Sequence, residues 1–269
     1  MKFSLLMSVY PKDNSELFRQ ALQSILVNSL QPAEVVLVCD GPLTIELEKV
    51  IDYYDNKFSM ILLKLNENVG LGRALQLGIK HCHCEWVARF DADDICSSNR
   101  FANQVAFIEK NSSIDIVGGQ IIEFDNDPND IDACIRQVPT DHNDIYNYAR
   151  LRNPINHMTV MFKRSAVLEA GNYQHAPLYE DYDLWVRMLM KGYKFANINE
   201  ILVYARAGDK MYQRRGGLSY ARQETIMQYS FYKLGFLSSF QLIKNVILRI
   251  PIRLVPSNIR KAIYSKLLR

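Results

Sequence analysis

Three carboxylates follow directly on an apolar strand in the segment Asp91-Ala92-Asp93-Asp94. The strand is WVARF (86–90), and ligands of open α/β sheets bind at the carboxyl ends of strands. Carboxylates this close repel each other unless a cation neutralises them, and such oxygen ligands favour Mg²⁺ or Mn²⁺. We therefore predict that Asp91, Asp93 and Asp94 hold a divalent metal bound to a diphosphate. The alternative is a solvated acidic turn that caps the next helix.

A second acidic segment, Glu180-Asp181-Tyr182-Asp183, stands at the start of a predicted helix. Acidic side chains there are stabilised by the helix dipole, and one of them can cap free backbone amides. The functional interpretation is a general base, a carboxylate that removes the proton of an acceptor hydroxyl. Spacing alone does not choose between these roles, or between Glu180 and Asp181 as the base.

Two further residues stand where a nucleotide could bind. Asp40 follows the apolar strand EVVLVC (34–39), and it indicates either a hydrogen bond to a nucleobase or ribose or an Asx turn. Arg73 ends the segment GLGR (70–73), which lacks the third glycine of a dinucleotide fingerprint and so argues against NAD. Arg73 is either a contact to a phosphate or to the acidic cluster, or an exposed arginine in a first helical turn.

The remaining polar motifs are less specific. His157 precedes a predicted strand, and a lone histidine is more often structural than catalytic. Arg214 and Arg215, followed by two glycines, suit a diphosphate or form a solvated basic loop. The run HCHC (81–84) does not predict zinc, because four consecutive side chains cannot converge on one ion.

The elements that must position these residues follow the pattern of a parallel α/β sheet. Apolar runs predict strands over 3–9, 34–39, 60–65, 86–90, 115–119 and 159–163. Helical periodicity predicts helices from Ser15, over 44–54, 70–80 and 99–110, and over 181–191. Residues 123–147 are rich in Asp and Asn and predict a surface loop or lid.

Composition places the 269-residue chain among folded globular proteins, with 48% hydrophobic and 23% charged residues. This balance excludes disordered, collagen-like and coiled-coil proteins. An odd number of cysteines, five, without framework spacing predicts reduced thiols in a cytosolic compartment. No apolar stretch is long enough for a transmembrane helix, and the N-terminus lacks the pattern of a signal peptide.

The C-terminal part of the chain differs in charge from the rest. Residues 225–269 carry eight basic side chains and no acidic one, while residues 1–224 are net acidic. Apolar residues recur there at helical spacing, namely Phe240, Ile243, Val246, Ile247 and Ile250, then Ile259, Ile263 and Leu267. This pattern predicts adsorption to an anionic membrane surface, with packing on the body or a dimer contact as alternatives. Nucleic acid is not predicted, because the body is acidic and no recognition module is present.

Residues 3–205 together resemble an inverting family-2 glycosyltransferase with a GT-A fold. The resemblance rests on ordered motifs: Ser8-Val9-Tyr10 after the first strand, EVVLVCDGP (34–42), NVGLGRAL (68–75), the DADD cluster (91–94) and EDYDLW (180–185). It implies a Rossmann-like mixed, mainly parallel sheet flanked by helices. The catalytic domain would cover residues 1–205, and residues 206–269 would form a helical segment that associates with the acceptor and the membrane.

The resemblance also implies roles for individual residues. Those expected at the UDP-sugar donor are Ser8, Tyr10, Asp40, Arg73, Asp91 and Asp93. Asp91 and Asp93, with Asp94 beside them, would hold Mn²⁺ or Mg²⁺; Asp181 would be the base, next to Glu180. His157, Arg214 and Arg215 would meet the acceptor and its diphosphate. Cys39 stands where many members of the family have a second aspartate.

NPINHMTV (153–160), QRRGG (213–217) and the final IYSKLLR (263–269) resemble bacterial enzymes of O-antigen or capsule assembly. This implies transfer of a hexose, galactose rather than glucose, from UDP to an N-acetylhexosamine joined through diphosphate to undecaprenol. The linkage would be β, with β1,3 expected, and the enzyme would be peripheral on the inner face of the bacterial cytoplasmic membrane. Alternatives are another donor such as UDP-GlcNAc, a catalytically silent scaffold and a sugar-phosphate nucleotidyltransferase. The oligomeric state stays open.

Overall fold

A nine-stranded sheet organises the part of the chain that this computed structural model describes, residues 1–125, 127–128, 133–207, 216–256 and 260. The strands are β1 (Phe3–Val9), β2 (Glu34–Cys39), β3 (Met60–Lys64), β4 (Trp86–Phe90), β5 (Ile95–Cys96), β6 (Ile116–Phe124), β7 (Cys134–Arg136), β8 (Met161–Lys163) and β9 (Phe195–Arg206). The helices are α1 (Ser15–Leu26), α2 (Ile45–Asp55), α3 (Leu71–Gly78), α4 (Arg100–Lys110), α5 (His142–Ala149), α6 (Arg164–Glu169), α7 (Glu180–Met190), α8 (Leu218–Lys233) and α9 (Ser239–Leu254).

The sheet is parallel in its first part and mixed beyond it. Its order is β3-β2-β1-β4-β8-β6-β9-β5, with β7 paired to β6. Strands β3, β2, β1 and β4 run parallel, as do β6 and β9, whereas β8 pairs antiparallel with both β4 and β6. The predicted mixed α/β fold is confirmed, and its parallel part brings the carboxyl ends of β1, β2 and β4 to one edge.

Both faces of β1, β2 and β4 are buried, which explains their largely apolar sequences, whereas the edge strand β3 is half-buried. In β1, Leu5 contacts the layer formed by α1, α2 and α4, while its neighbour Leu6 contacts the layer that contains α3, α5 and α7. Both leucines are fully buried. The two helical layers therefore hold the sheet rigid beneath the strand ends.

The structure corrects several predicted elements after residue 110. The predicted strand 115–119 continues to Phe124 as part of β6, and the predicted loop 123–147 contains β7 and α5. Only Met161–Lys163 of the predicted strand 159–163 belongs to a strand, because residues His157–Thr159 form a 3₁₀ turn. Strand β9 was not predicted, since a register shift opposite Gly119 and Gln120 breaks its alternation.

The first C-terminal helix packs into the body rather than standing apart from it. Tyr220, Met227 and Phe231 of α8 lie in the same buried cluster as Trp185 of α7. The predicted boundary near residue 206 thus separates two regions of composition that share one core. Within the described residues, no helix is long and apolar enough to cross a membrane. The predicted apolar positions Ile259, Ile263 and Leu267 lie outside the described residues.

Candidate active site

A cavity of about 520 Å³ opens at the carboxyl ends of β1, β2 and β4. Ser8 and Tyr10 line it from the end of β1, Asp40 lines it from the end of β2, and the acidic cluster lines it from the end of β4. The structure therefore brings together residues that are far apart in sequence and that were predicted at a nucleotide donor. Their contacts to a donor stay predictions.

Asp40 organises the loop that leads into α3. Its carboxylate is 2% exposed and accepts hydrogen bonds from the backbone N–H groups of Val69 (2.7 Å) and Gly70 (3.1 Å). The Asn68 side-chain amide also donates to it, at 3.0 Å. These three donors hold the carboxylate on the cavity wall. They also anchor Gly70, whose φ of +84° is readily available to glycine.

The acidic cluster is held by two arginines that the sequence analysis did not select. Arg89, a 2% exposed residue of β4, forms a bidentate ion pair with Asp91, with Nη1 to Oδ2 at 2.7 Å. Arg206, at the end of β9, donates its backbone N–H to Asp94 at 2.9 Å and its Nε to the Asp93 carbonyl at 2.8 Å. The arginine within the apolar strand WVARF could have indicated this contact from the sequence, because a buried guanidinium needs an anionic partner.

A fourth carboxylate, that of Asp13, lines the same cavity. Burial raises its pKa to about 7, a hydrogen bond from the Tyr10 backbone opposes the increase, and the charges of Asp93 and Asp91 add to it. The pKa of Asp94 is raised well above its ordinary value by burial and by the same two charges. Asp13 follows β1 within a turn, and its type and spacing gave no separate signal.

The carboxylates at this cavity fit a divalent cation. Burial first, and then the charges of Asp91 and Asp93, raise the pKa of Asp13 and Asp94, so a cation bound here would stabilise their ionised forms. Oxygen donors are the ligands that Mg²⁺ and Mn²⁺ prefer. Within the described residues, no three His, Cys, Asp or Glu side chains form a ready-made metal site. A metal held by Asp93 with Asp91 and Asp94 would therefore need ligands from a bound diphosphate.

The two acidic residues that begin α7 lie near this cluster. Asn153 donates its Nδ2 to Oδ2 of Asp181 at 2.6 Å, and the Tyr182 backbone N–H donates to Oδ1 at 2.7 Å. Burial raises the pKa of Asp181, and these two hydrogen bonds oppose the increase. Burial and then the charge of Asp181 raise the pKa of Glu180 to about 7.

The α7 carboxylates and the β4 cluster act on each other electrostatically. The charges of Arg89 and Asp91 both affect the pKa of Glu180, Arg89 lowering it and Asp91 raising it. Glu180 also lies over the first turn of α3, because a Cβ added to Gly72 would come within 2.9 Å of the Glu180 Cβ. The small residue at position 72 allows α3 and α7 to approach closely beside the cavity.

Four of the predicted site residues that the structure describes do not line the cavity, namely Glu180 and Asp181 of α7 and the residues Arg73 and His157. Arg73 is exposed and donates to Gln76 in the next turn of α3. His157 is buried, with Nε2 2.9 Å from the Tyr173 hydroxyl and its ring edge-on to Trp185. Burial, with a smaller effect of Arg89, lowers the His157 pKa well below its usual range. These surroundings are those of a neutral core histidine. The acceptor residues Arg214 and Arg215 lie outside the described residues.

Helix α8 supports the start of α7 on both sides of the two carboxylates. The ring of Tyr179 packs edge-on against Tyr220, with centroids 5.8 Å apart, and Tyr182 packs against Phe231 at 4.9 Å. The Tyr182 hydroxyl donates to the Ala149 carbonyl at 2.5 Å. The position of Asp181 thus depends on aromatic packing with the C-terminal helices.

Solved structures with the same fold bind nucleotide sugars. S. aureus TarS (residues 1–349), in complex with UDP-GlcNAc, superposes with a TM-score of 0.67 at 18% identity, over 100% of this chain and 76% of that one. This chain spans 46% of the longer TarS chain. A mannosyltransferase from Pyrobaculum calidifontis, in complex with GDP-Man and Mn²⁺, gives a TM-score of 0.67 at 16% identity, over 99% and 75% of the chains. At this level of identity the likeness concerns the fold.

Sequence relatives cover the whole chain. An uncharacterized glycosyltransferase of Haemophilus influenzae is 42% identical over 269 residues, 100% of both chains. The Escherichia coli UDP-Gal:alpha-D-GlcNAc-diphosphoundecaprenol beta-1,3-galactosyltransferase is 39% identical, over 100% of this chain and 97% of that one. An amylovoran biosynthesis glycosyltransferase of Erwinia amylovora is 34% identical over 98% of each chain. The family model "Glycosyl transferase family 2" matches residues 4–168. As the motifs predicted, the chain belongs to glycosyl transferase family 2 and is a glycosyltransferase.

Proposed function

We propose that this glycosyltransferase moves a hexose, with galactose expected and glucose next, from UDP to N-acetylhexosamine-diphosphate-undecaprenol. The product would carry a β linkage, with β1,3 expected, of the kind used in O-antigen or capsule assembly. The activity named for the E. coli relative, 39% identical over the whole chain, supports both substrates. A lipid-linked acceptor would place the reaction at the inner face of the cytoplasmic membrane.

One structural observation supports the proposal most directly. Glu180 interacts electrostatically with the Arg89–Asp91 pair and packs against Gly72, which is next to the cavity residue Leu71, and Asp181 follows Glu180 in α7. If a donor diphosphate binds at the acidic cluster, a carboxylate of α7 that can act as a general base would lie close to the donor sugar. This is the arrangement that transfer to an acceptor hydroxyl requires, since a base must lie within reach of that hydroxyl.

We derive the reaction as a single displacement with Asp181 as the base. The acceptor oxygen forms a bond to the anomeric carbon, the bond from that carbon to UDP breaks with its electron pair leaving on UDP, and Asp181 takes the hydroxyl proton. Attack opposite the leaving group inverts the configuration, so an α-linked UDP-hexose gives a β-glycoside. A divalent cation bound by Asp93, Asp91 and Asp94 would supply positive charge for the departing diphosphate.

The protein's own contribution is to orient Asp181 and to oppose the increase in its pKa that burial causes. Asn153 and the Tyr182 N–H each donate to one carboxylate oxygen, which favours the charged form. Each oxygen has a second lone pair, which leaves room for the acceptor proton. Arg214 and Arg215 remain our candidates for the acceptor diphosphate, on the sequence argument alone.

The donor and acceptor are tested together by mass spectrometry. The full-length protein is incubated with a panel of UDP-sugars, with Mn²⁺ or with EDTA, and with synthetic GlcNAc- and GalNAc-diphosphate-lipid acceptors. We expect a mass gain of one hexose from UDP-galactose that EDTA abolishes. Transfer from UDP-GlcNAc only would overturn the donor assignment. Loss of both transfer and UDP binding would support a silent scaffold instead.

The base is tested by a matched pair of substitutions in α7. Asp181→Asn should leave UDP binding nearly intact and abolish transfer, because an amide cannot take the acceptor proton. Asp183→Asn is the control, since Asp183 lies two residues further from the helix start and pairs with Arg187 at 2.9 Å. Substantial turnover by Asp181→Asn would refute its assignment as the base.

A further inference from the structure

The buried residues of helix α9 are polar, and most of its exposed residues are apolar, the reverse of an ordinary surface helix. Asn245 and Arg253 are the buried members of α9, at 2% and 8% exposure. Phe240 and Ile247, by contrast, are 73% and 65% exposed. The sequence had left open whether the apolar positions pack on the body, and the structure shows that Phe240, Ile243 and Ile247 do not.

Buried polar contacts determine this orientation. Asn245 donates its Nδ2 to the Gln228 side-chain oxygen and to the Arg150 carbonyl, both at 2.9 Å. Glu224 of α8, which is fully buried, receives Arg253 Nε at 2.5 Å and also pairs with Arg249. Rotating α9 to bury its apolar side would leave the Glu224 carboxylate buried without these partners, which is strongly unfavourable.

The outward residues form one continuous face. Five apolar residues, each more than half exposed, lie within an arc of roughly 140° at 100° per residue, and Lys244 lies in the same arc. We call this the outer face of α9, and its apolar members are Phe240, Ile243, Ile247, Leu248 and Leu254. No acidic residue follows Glu224 in the chain, and Glu224 itself is buried. The face is therefore apolar with positive charge.

We infer that the outer face of α9 docks on the surface of an anionic lipid bilayer. Apolar side chains on one side of a helix, with Lys244 among them and no acidic residue in the helix, match the interface of such a bilayer. A second copy of the chain would offer no acidic residue from its own α9 to balance Lys244. The inference deepens the proposed function and rests on it, since that function needs an acceptor held in a membrane.

The docked helix is connected to the candidate base through few contacts. The Arg150 carbonyl that accepts from Asn245 lies three residues before Asn153, which holds Asp181. Helix α8, which carries the Glu224 partner of α9, packs on the aromatic residues either side of Glu180 and Asp181. These contacts would fix the distance between a bilayer bound at α9 and the carboxylate of Asp181.

The test is flotation of the full-length protein with vesicles. Vesicles of phosphatidylethanolamine with phosphatidylglycerol are compared with vesicles of phosphatidylcholine, at low and high salt. We expect binding to the anionic vesicles that salt weakens, and at least tenfold weaker binding for Ile247→Glu. Ile45→Glu is the control, because Ile45 is 67% exposed but begins α2 in the opposite helical layer. The control should bind as the parent does.

Several results would overturn the inference. One such result is equal vesicle binding by Ile247→Glu and by the parent. Another is a parent protein that binds no vesicle but forms a dimer without lipid, if Ile247→Glu dissociates that dimer. Sugar transfer, measured separately from vesicle binding, distinguishes failure of the proposed function from failure of the docking surface. A protein that binds anionic vesicles through α9 but transfers no sugar to any acceptor keeps the docking surface and loses the function. A protein that transfers sugar to a short acceptor but binds no vesicle loses the docking surface only.

Discussion

Replacing Asn153 by alanine should shift the pH dependence of transfer without changing UDP binding. The Asn153 amide lies 2.6 Å from Oδ2 of Asp181, at a partly buried position. The net contribution of a hydrogen bond to a charged group is about 1.5–3 kcal/mol, and the partial exposure argues for the lower end. Since about 1.4 kcal/mol corresponds to one pH unit, the acidic limb of the pH profile should move up by about one unit.

The sign follows from the role of Asp181 as a base. A base acts when ionised, and removing a donor to the carboxylate raises the pKa of Asp181 further above its ordinary value. Activity on the acidic limb of the profile should therefore fall in Asn153→Ala and recover as the pH is raised. A structural defect in the fold would lower the rate at every pH instead.

The measurement is kcat against pH for the parent and for Asn153→Ala, at saturating donor, with UDP affinity measured by calorimetry. Asn147→Ala removes an exposed asparagine from α5 and serves as the control. An unshifted acidic limb, or a uniform loss over the whole pH range, would refute the view that Asn153 stabilises the ionised base.

Two substitutions test the packing that supports the site. Gly78→Ala would place a Cβ 2.6 Å from Leu6, so overpacking between α3 and the sheet should lower the free energy of unfolding by about 1–3 kcal/mol in a urea titration. Glu224→Gln leaves Arg249 and Arg253 without their buried counter-charge, and about 3 kcal/mol of stability should be lost in the same titration. An unchanged urea midpoint in either variant would show that the corresponding contact does not contribute to the free energy of unfolding.

The strand-end residues of the site could be predicted because the carboxyl ends of parallel strands lie at the same edge of the sheet. A buried apolar strand followed by polar residues was enough to bring Asp40 and the acidic cluster to the same cavity. Asn153 could not be found in this way. It lies 28 residues before Asp181 in a loop, and only the packing of that loop against α7 brings the two side chains together.

The C-terminal helices illustrate a different limit of the sequence. Periodicity placed Phe240, Ile243 and Ile247 on one face of α9, but Val246 and Ile250 of the same predicted stripe are half-buried. It did not show which face of the helix would pack on the body. That choice depends on contacts with partners on another helix, such as Asn245 with Gln228 and Arg253 with Glu224. A hydrophobic stripe normally marks the inward side of a helix. Here the buried polar pairs outweigh that tendency.

The adjacent carboxylates of α7 differ in their surroundings, and the difference favours Asp181 as the base. Asp181 has a donor on each carboxylate oxygen, and both donors stabilise the form that accepts a proton. The pKa of Glu180, at about 7, is raised by burial and by the charge of Asp181, so near neutral pH Glu180 is only partly ionised. Burial also raises the pKa of Asp181, but its two donors oppose that increase and fix the orientation of the carboxylate, which a base that meets an acceptor hydroxyl requires. The motif alone presents the two residues as equals, and the distinction comes from Asn153 and the backbone of α7.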